Sequence, residues 1–268
     1  MHSAQSRSVR LSNRLSGTPD DVEVSSLGTV SLEALEARAA LLRRVDRKYV
    51  VDLEGLEQLV GRLAEDHDVL EIDGERAFFY ESTYFDTPDL RCFHDHVRDR
   101  EPRFKARTRW YRDSGVCVFE AKIKRADGAT DKRQIDYSPE RRALVTPDAA
   151  RFVEEELGDV GLTLSRDLEA SLVTSFSRMT LAAREGGARL TCDSEVELSR
   201  GQRLAVMRDS LVLLETKSED GDSAADRVLA SMDVDEVEVS KYRTGIALLA
   251  ADPSDAGGAE RFFEVRSD

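Results

Sequence analysis

The sequence predicts an α+β fold: an antiparallel β-barrel with a charged interior and helices packed on its outside. Three observations carry that reading. Segments of strand character recur along most of the chain, and three of them follow one another behind good turn sequences. Their polar positions are charged with unusual consistency. Segments with helical spacing lie between and after them. At 268 residues and 40 % apolar content the chain suits one large β-rich domain with a real core. We place that domain at residues 29–251, after a disordered tail at 1–28 and before a second tail at 252–268.

The elements follow in order. Ser31 to Leu41 carries Leu and Ala at helical spacing, Leu42 to Asp52 alternates as a strand, and Leu53 to Ala64 is helical again. Ala77 to Phe85 is a strand closed by Asp86-Thr87-Pro88-Asp89, where Thr87 can cap a helix with Pro88 in its first position. The same device recurs at Thr146-Pro147-Asp148. Arg103 to Arg112, Val116 to Lys124 and Lys132 to Tyr137 form a meander across turns at Asp113-Ser114-Gly115 and Asp127-Gly128. Leu172 to Ala183 and Arg189 to Glu197 make a hairpin about Glu185-Gly186-Gly187, and Leu211 to Lys217 is a further strand. Ala224 to Met232 and Lys241 to Ala250 are helical, the second with Ser240 as N-cap.

Side chains alternate across a strand, so Arg103, Lys105, Arg107 and Arg109 stack four cations on one face. Glu120, Lys122 and Lys124 repeat the alternation on the next strand, against Phe119, Ala121 and Ile123. Arg189, Asp193, Glu195 and Glu197 share one side of a later strand. Arg44, Asp46 and Lys48 share a side of the first, and Glu215 and Lys217 of the last. Any one such strand fits a solvated sheet surface. Four adjacent like charges repel unless anions or carboxylates lie opposite. A sheet curled so that these faces meet inside supplies both, and leaves the apolar faces outward for helices to cover. Such an interior suits phosphoryl chemistry, which depends on positioning and on cations that neutralise phosphate oxygens.

Composition removes other classes. With 53 acidic against 39 basic residues, the net charge of −14 excludes a non-specific nucleic-acid binder or a membrane-surface protein. No G-x-x-x-x-G-K-[ST] or G-x-G-x-x-G is present, which disfavours P-loop and Rossmann nucleotide sites. Cys92, Cys117 and Cys192 are odd in number and far apart, as reduced thiols in a cytoplasmic protein would be. No apolar run is long enough for a membrane span or a secretory signal. His94 and His96, two residues apart with no third ligand nearby, are a polar face rather than a metal site.

Taken in order, Arg44-x-Asp46-Arg47-Lys48-Tyr49, Tyr84-Phe85-Asp86-Thr87-Pro88, Lys105-x-Arg107-x-Arg109 and Glu120-x-Lys122-x-Lys124 resemble the VTC domain. Ser177-Arg178-Met179-Thr180, Glu215-x-Lys217 and Ser240-Lys241-Tyr242 complete the pattern, over roughly Leu41 to Ala250. This is the polyphosphate polymerase domain of the vacuolar transporter chaperone, within the triphosphate tunnel metalloenzyme superfamily. The resemblance implies an eight-stranded antiparallel tunnel that moves the γ-phosphate of ATP, or another triphosphate, onto a polyphosphate chain with Mn²⁺ or Mg²⁺. It implies that Lys48, Arg107, Arg109, Lys122, Arg178 and Lys241 hold phosphates and that Glu215 binds the metal. Strand parity adds Arg44, Lys105 and Lys124 as substrate-binding residues, and Glu120, Asp193 and Glu195 as carboxylates available to metal. The related triphosphatases and cyclases open with Glu-x-Glu-x-Lys. This chain has a cation at the first of those positions, Arg44, which points to the polymerase branch. A non-catalytic polyphosphate-binding module and a metal-dependent triphosphatase are the alternatives, and a protein partner is compatible with all three.

Overall fold

The computed structural model of the chain describes residues 27–38 and 45–266. Strand β1 (Gly28–Val30) and helix α1 (Leu32–Arg38) precede β2 (Val45–Asp52) and α2 (Leu53–Leu63). Next come β3 (His67–Leu70), β4 (Ala77–Asp86), α3 (Arg91–Val97) and the meander β5 (Arg103–Tyr111), β6 (Cys117–Lys124) and β7 (Thr130–Asp136). Helix α4 (Pro147–Gly158) leads to the two longest strands, β8 (Glu169–Ala183) and β9 (Arg189–Arg200). The chain continues through β10 (Arg203–Met207), β11 (Leu211–Ser218), α5 (Ala224–Ser231), α6 (Lys241–Ala250) and β12 (Phe263–Arg266).

Local chemistry sets the helix starts. The Asp52 carboxylate accepts from the Gly55 amide, Thr146 caps α4 ahead of Pro147, Ser223 and Asp226 form a capping box, and Ser240 caps α6. Helix α3 departs from expectation. It begins at Arg91, not at Pro88, because the buried Asp86 carboxylate reaches forward to accept from the Cys92 and Phe93 amides. Leu90, in the left-handed region at φ 56°, makes the corner.

Eight strands form one continuous antiparallel path, β2-β11-β9-β8-β4-β5-β6-β7. Strands β8 and β9 are long enough to border two neighbours on one edge, so β3 and β1 branch from β8, and β10 and β12 from β9. The β1–β3 pair is parallel. In a flat sheet β2 and β6 would stand about 29 Å apart, six steps of about 4.8 Å. Yet Lys122 on β6 feels the charges of Asp46 and Lys48 on β2 and of Glu215 on β11, so the sheet curls until these faces oppose.

The expected barrel is not closed. Among the described residues β2 pairs with β11 and β7 with β6, and no backbone ladder joins β2 to β7. Strand β7 shows why: most of its residues are exposed, and Asp131, Lys132 and Arg133 blunt it as charges commonly blunt a free edge.

Helices cover the outward faces, as the alternation requires. Phe85, Phe104, Ala106, Phe119 and Ile123 share a core with Ala149, Val153 and Leu157 of α4. Tyr49, Val51, Cys192, Val212 and Leu214 share another with Leu56, Leu59, Leu63 of α2 and Leu229 of α5. Each of the Val, Leu, Ile and Phe side chains among them contributes roughly 1.5–3 kcal/mol on burial. Helix α6 is buried along most of its length and lies close on β8: a Cβ on Gly245 would meet Leu172 Cδ2 at 2.5 Å.

The terminal boundaries are corrected in part. Leu27 is buried and Gly28 opens β1, so both belong to the fold, whereas the tail reading of residues 1–26 and Arg44 fall outside the described residues. The segment after Asp252 is not a tail. It makes two 3-10 turns and then β12, which pairs antiparallel with β10. The three cysteines are free and buried, and no described helix is long and apolar enough to cross a membrane.

Candidate functional site

On the β4–β7 wall of the concave face, one carboxylate sits among cations. Glu120, 1 % exposed, accepts from Arg107 Nε at 2.6 Å and from Lys132 Nζ at 3.1 Å. Arg107 Nη1 also donates to the Tyr84 hydroxyl at 2.9 Å. Burial opposes ionisation of Glu120, but Arg107, Arg109 and Lys132 hold it well below the usual carboxylate range. The β5–β6–β7 register places Lys105, Lys122 and Lys132 in one row across three strands. Burial, and then Lys48, Lys122, Arg103 and Arg107, push the Lys105 ammonium well below the usual lysine range. Its Nζ donates to Ser240 Oγ at 3.2 Å. Arg109 lies over the Tyr80 ring, 5.7 Å from its centroid, with its Nε buried and without a hydrogen-bond partner.

The facing wall alternates in sign. Asp193 on β9, 2 % exposed, takes a bidentate fork from Arg178 on β8, with Nη2 at 2.7 Å from Oδ2, and a bond from Lys241 at the start of α6. Burial opposes its charge, yet Arg178 and Lys241 bring its pKa down to about 2. The β2–β11 register sets Lys48 opposite Glu215 and Asp46 opposite Lys217. Lys217 pairs with Glu215. Burial lowers the Lys217 pKa to about 8, against the pull of Glu215 and Asp46. Lys48 Nζ donates to the Val239 carbonyl at 2.6 Å, next to the α6 cap. Protein surrounds Lys122, and still it is exposed to water, so the concave face is a solvated channel rather than a packed core.

The structure thus brings together Lys48, Lys105, Arg107, Arg109, Glu120, Lys122, Arg178, Asp193, Glu215 and Lys241. Lys124 stands at the rim, bonded to Glu101 at 2.6 Å. Glu195 is not brought in. A β-bulge interrupts the β8–β9 register between Ser175 and Ser177, and Glu195, at φ 50°, is exposed and turned out of the row that Asp193 keeps. Two residues missed as site candidates belong to it, Lys132 and Lys217. Lys132 was within reach of counting, since the turn at Asp127-Gly128 sets it opposite Lys122. Lys217 shares a face with Glu215, but nothing in the sequence says that the two pair.

A hard divalent ion takes one or two carboxylates together with substrate phosphate oxygens. Among the described residues no three carboxylate, imidazole or thiol groups lie close enough to hold an ion by themselves. Glu120 and Asp193 are each neutralised by two cations, which removes them as ready ligands. Glu215, held by Lys217, fits as a single protein ligand whose shell phosphates would complete. Elsewhere, a cavity of about 540 Å³ behind β2 is lined by Arg47, Tyr49 and four acids, Asp226, Asp233, Asp235 and Glu236. Its charge repels phosphate.

The VTC domain family model matches residues 43–250. No curated protein matches the sequence. Among solved structures, HpAC1 from Hippeastrum, described as revealing a dominant triphosphatase activity, is 14 % identical. It aligns over 78 % of this chain and 98 % of its own, with a TM-score of 0.46. The PH1819 protein of Pyrococcus horikoshii is 16 % identical over 74 % of this chain and 93 % of its own, with a TM-score of 0.41.

Proposed function

The chain belongs to the VTC domain family, and from that premise we propose that it is a phosphotransferase that adds the γ-phosphate of ATP to the end of a polyphosphate chain. The observation that carries the reading is the charge balance of the channel. Lys105, Arg107, Arg109, Lys122 and Lys132 stand on one wall against one buried carboxylate, Glu120, and an exposed one, Asp136, at its edge. That surplus favours an anionic ligand, and a chain of phosphates matches rows of cations along antiparallel strands.

In this reading the β5–β7 cations hold the chain, while Lys48, Arg178 and Lys241 orient the triphosphate beside Glu215. A terminal phosphate oxygen of the chain attacks the γ-phosphorus, and the bond to the β-phosphate oxygen breaks, so that ADP leaves with the electron pair. No general base is needed, because the attacking oxygen is already anionic near neutral pH. Mn²⁺ or Mg²⁺ on Glu215, when bound, would neutralise charge on the transferred group. Arg178 and Lys241 already stand 2.7 Å or less from a shared carboxylate, so their positive charges converge on one point. The free, buried cysteines fit a reducing compartment, the cytoplasm.

Hydrolysis of triphosphate is the second reading, because water reaches Lys122 inside the channel. Purified protein incubated with ATP, Mn²⁺ and a short polyphosphate primer separates the two. Long chains with one ADP per added phosphate support transfer, and free phosphate without chains supports hydrolysis. Tight primer binding without turnover would leave a binding module or an enzyme that needs a partner protein, and would overturn the assignment for the isolated chain.

A further inference from the structure

The histidine pair set aside as a polar face includes one residue in an unusual position. His96 lies in the last turn of α3, which packs against β5 and α6. Its Nδ1 is buried without a hydrogen-bond partner. The charges that reach it are Lys105 and Arg103 of β5, Lys48 of β2 and Arg243 of α6. Around that group, Lys105 and Lys48 converge on Ser240 and the neighbouring Val239 carbonyl at the cap of α6. The nearby carboxylates are committed elsewhere. Asp86 bonds the α3 amides and Tyr242, Asp95 pairs with Arg91 and Arg100, Asp99 and Glu101 pair with Arg103, and Glu238 pairs with Arg243.

Among the described residues, a buried imidazole nitrogen under the charge of four cations, with the neighbouring carboxylates already paired, has no use for a proton in the free protein. Burial, with the cations added to it, pushes the His96 pKa down to about 2. An anion that entered the cluster would reverse the second cause and offer the orphaned nitrogen an acceptor. Resting on the phosphate-chain reading above, we propose that His96 is a phosphate-binding residue at the rim of the channel that takes a proton from water as an anionic phosphate chain arrives. Binding of the chain is then linked to proton uptake, and tightens as pH falls in the range where the bound, but not the free, imidazole is protonated.

The test is calorimetric titration of the full chain with tripolyphosphate between pH 5.5 and 8, in buffers of different ionisation enthalpy, for wild type, His96→Gln and Arg107→Ala. The ligand's own titration is common to all three proteins and cancels in their difference. At pH 6, wild type should take up more protons per ligand than His96→Gln by at least about half a proton. Its affinity should gain several-fold over that variant between pH 8 and 6. Equal uptake in the two proteins overturns the role of His96 while leaving the channel reading intact. If wild type does not bind tripolyphosphate, or Arg107→Ala binds it equally well, the channel reading falls and this inference with it. Should His96→Gln fail to fold, the His96 ring nitrogens followed by NMR in wild-type protein decide. Saturating tripolyphosphate should raise the titration midpoint to about 6 or higher, and a midpoint that stays below about 5 overturns the proposal.

Discussion

The two walls of the channel use the same residue types to opposite ends. On the β8–β9–β11 wall the channel carboxylates are matched locally, buried Asp193 by Arg178 and Lys241, and half-buried Glu215 by Lys217. On the β5–β7 wall Glu120 balances Arg107 and Lys132, and among the described residues no ion pair reaches Lys105, Lys122 or Arg109, which feel carboxylates only from a distance. The first wall is a set of closed pairs whose geometry is fixed before ligand arrives. The second is a surplus of charge that costs stability and is relieved by an anion.

Removing a partner from a closed pair should have the largest effect on the fold. Asp193→Ala leaves two buried cations facing each other and should cost about 3–5 kcal/mol in chemical denaturation, part of it restored by tripolyphosphate. Close in size is the effect of Glu215→Gln on turnover, a fall of about 10²–10³ in kcat with tripolyphosphate affinity within a few-fold of wild type. Loss of binding in that variant would move Glu215 from the metal to the architecture.

Arg107→Ala crosses the comparison. The sequence suggests that thinning a cluster of like charges leaves stability intact or raises it, but Arg107 is the nearer partner of a carboxylate that is 1 % exposed. The variant should lose about 2–3 kcal/mol and more than tenfold in tripolyphosphate affinity. Acid should expose the closed pairs next. The Asp193 pKa is depressed to about 2 in the folded state, so its contribution is present above the unfolded value of about 3.9 and is lost as pH falls through 2. Between pH 5 and 2 the loss traceable to Asp193, as the difference from Asp193→Asn, should be on the order of 2 kcal/mol.

The smallest change tests the surplus wall. Lys105→Met removes an ammonium whose charge is disfavoured by burial and by four neighbouring cations. It should raise stability by about 1 kcal/mol while weakening tripolyphosphate binding. A destabilised Lys105→Met would show that its bond to Ser240 outweighs the repulsion.

Much of this was legible in sequence, for reasons that differ by residue. Arg103 to Arg109 could be assigned to one face because alternation is a property of each strand alone. Ser240 and Thr146 could be placed as caps because a cap needs only its own next turn. The same local logic failed at Asp86, whose carboxylate reaches past Pro88 to the Cys92 and Phe93 amides. It failed again at Glu195, where parity was carried across a bulge. Strands β3 and β10 were missed because they are short and lean on the ends of longer partners. Lys217 was missed because a pair of opposite charges two apart on a strand is ordinary until both are half-buried inside a channel.

The sequence by itself determined which residues are charged on which face, where the turns and most caps fall, and that any anion must meet a local cluster of cations. Those follow from backbone periodicity and covalent order, which act within a few residues. Only the tertiary structure decided that the sheet curls without closing, that a bulge turns Glu195 outward while Asp193 stays in, and that Glu120 and Asp193 are spoken for while Glu215 is held by one lysine. Curvature and ion pairing depend on strands far apart in the chain, and their outcome is a competition among many charges for few partners, which no single strand can settle.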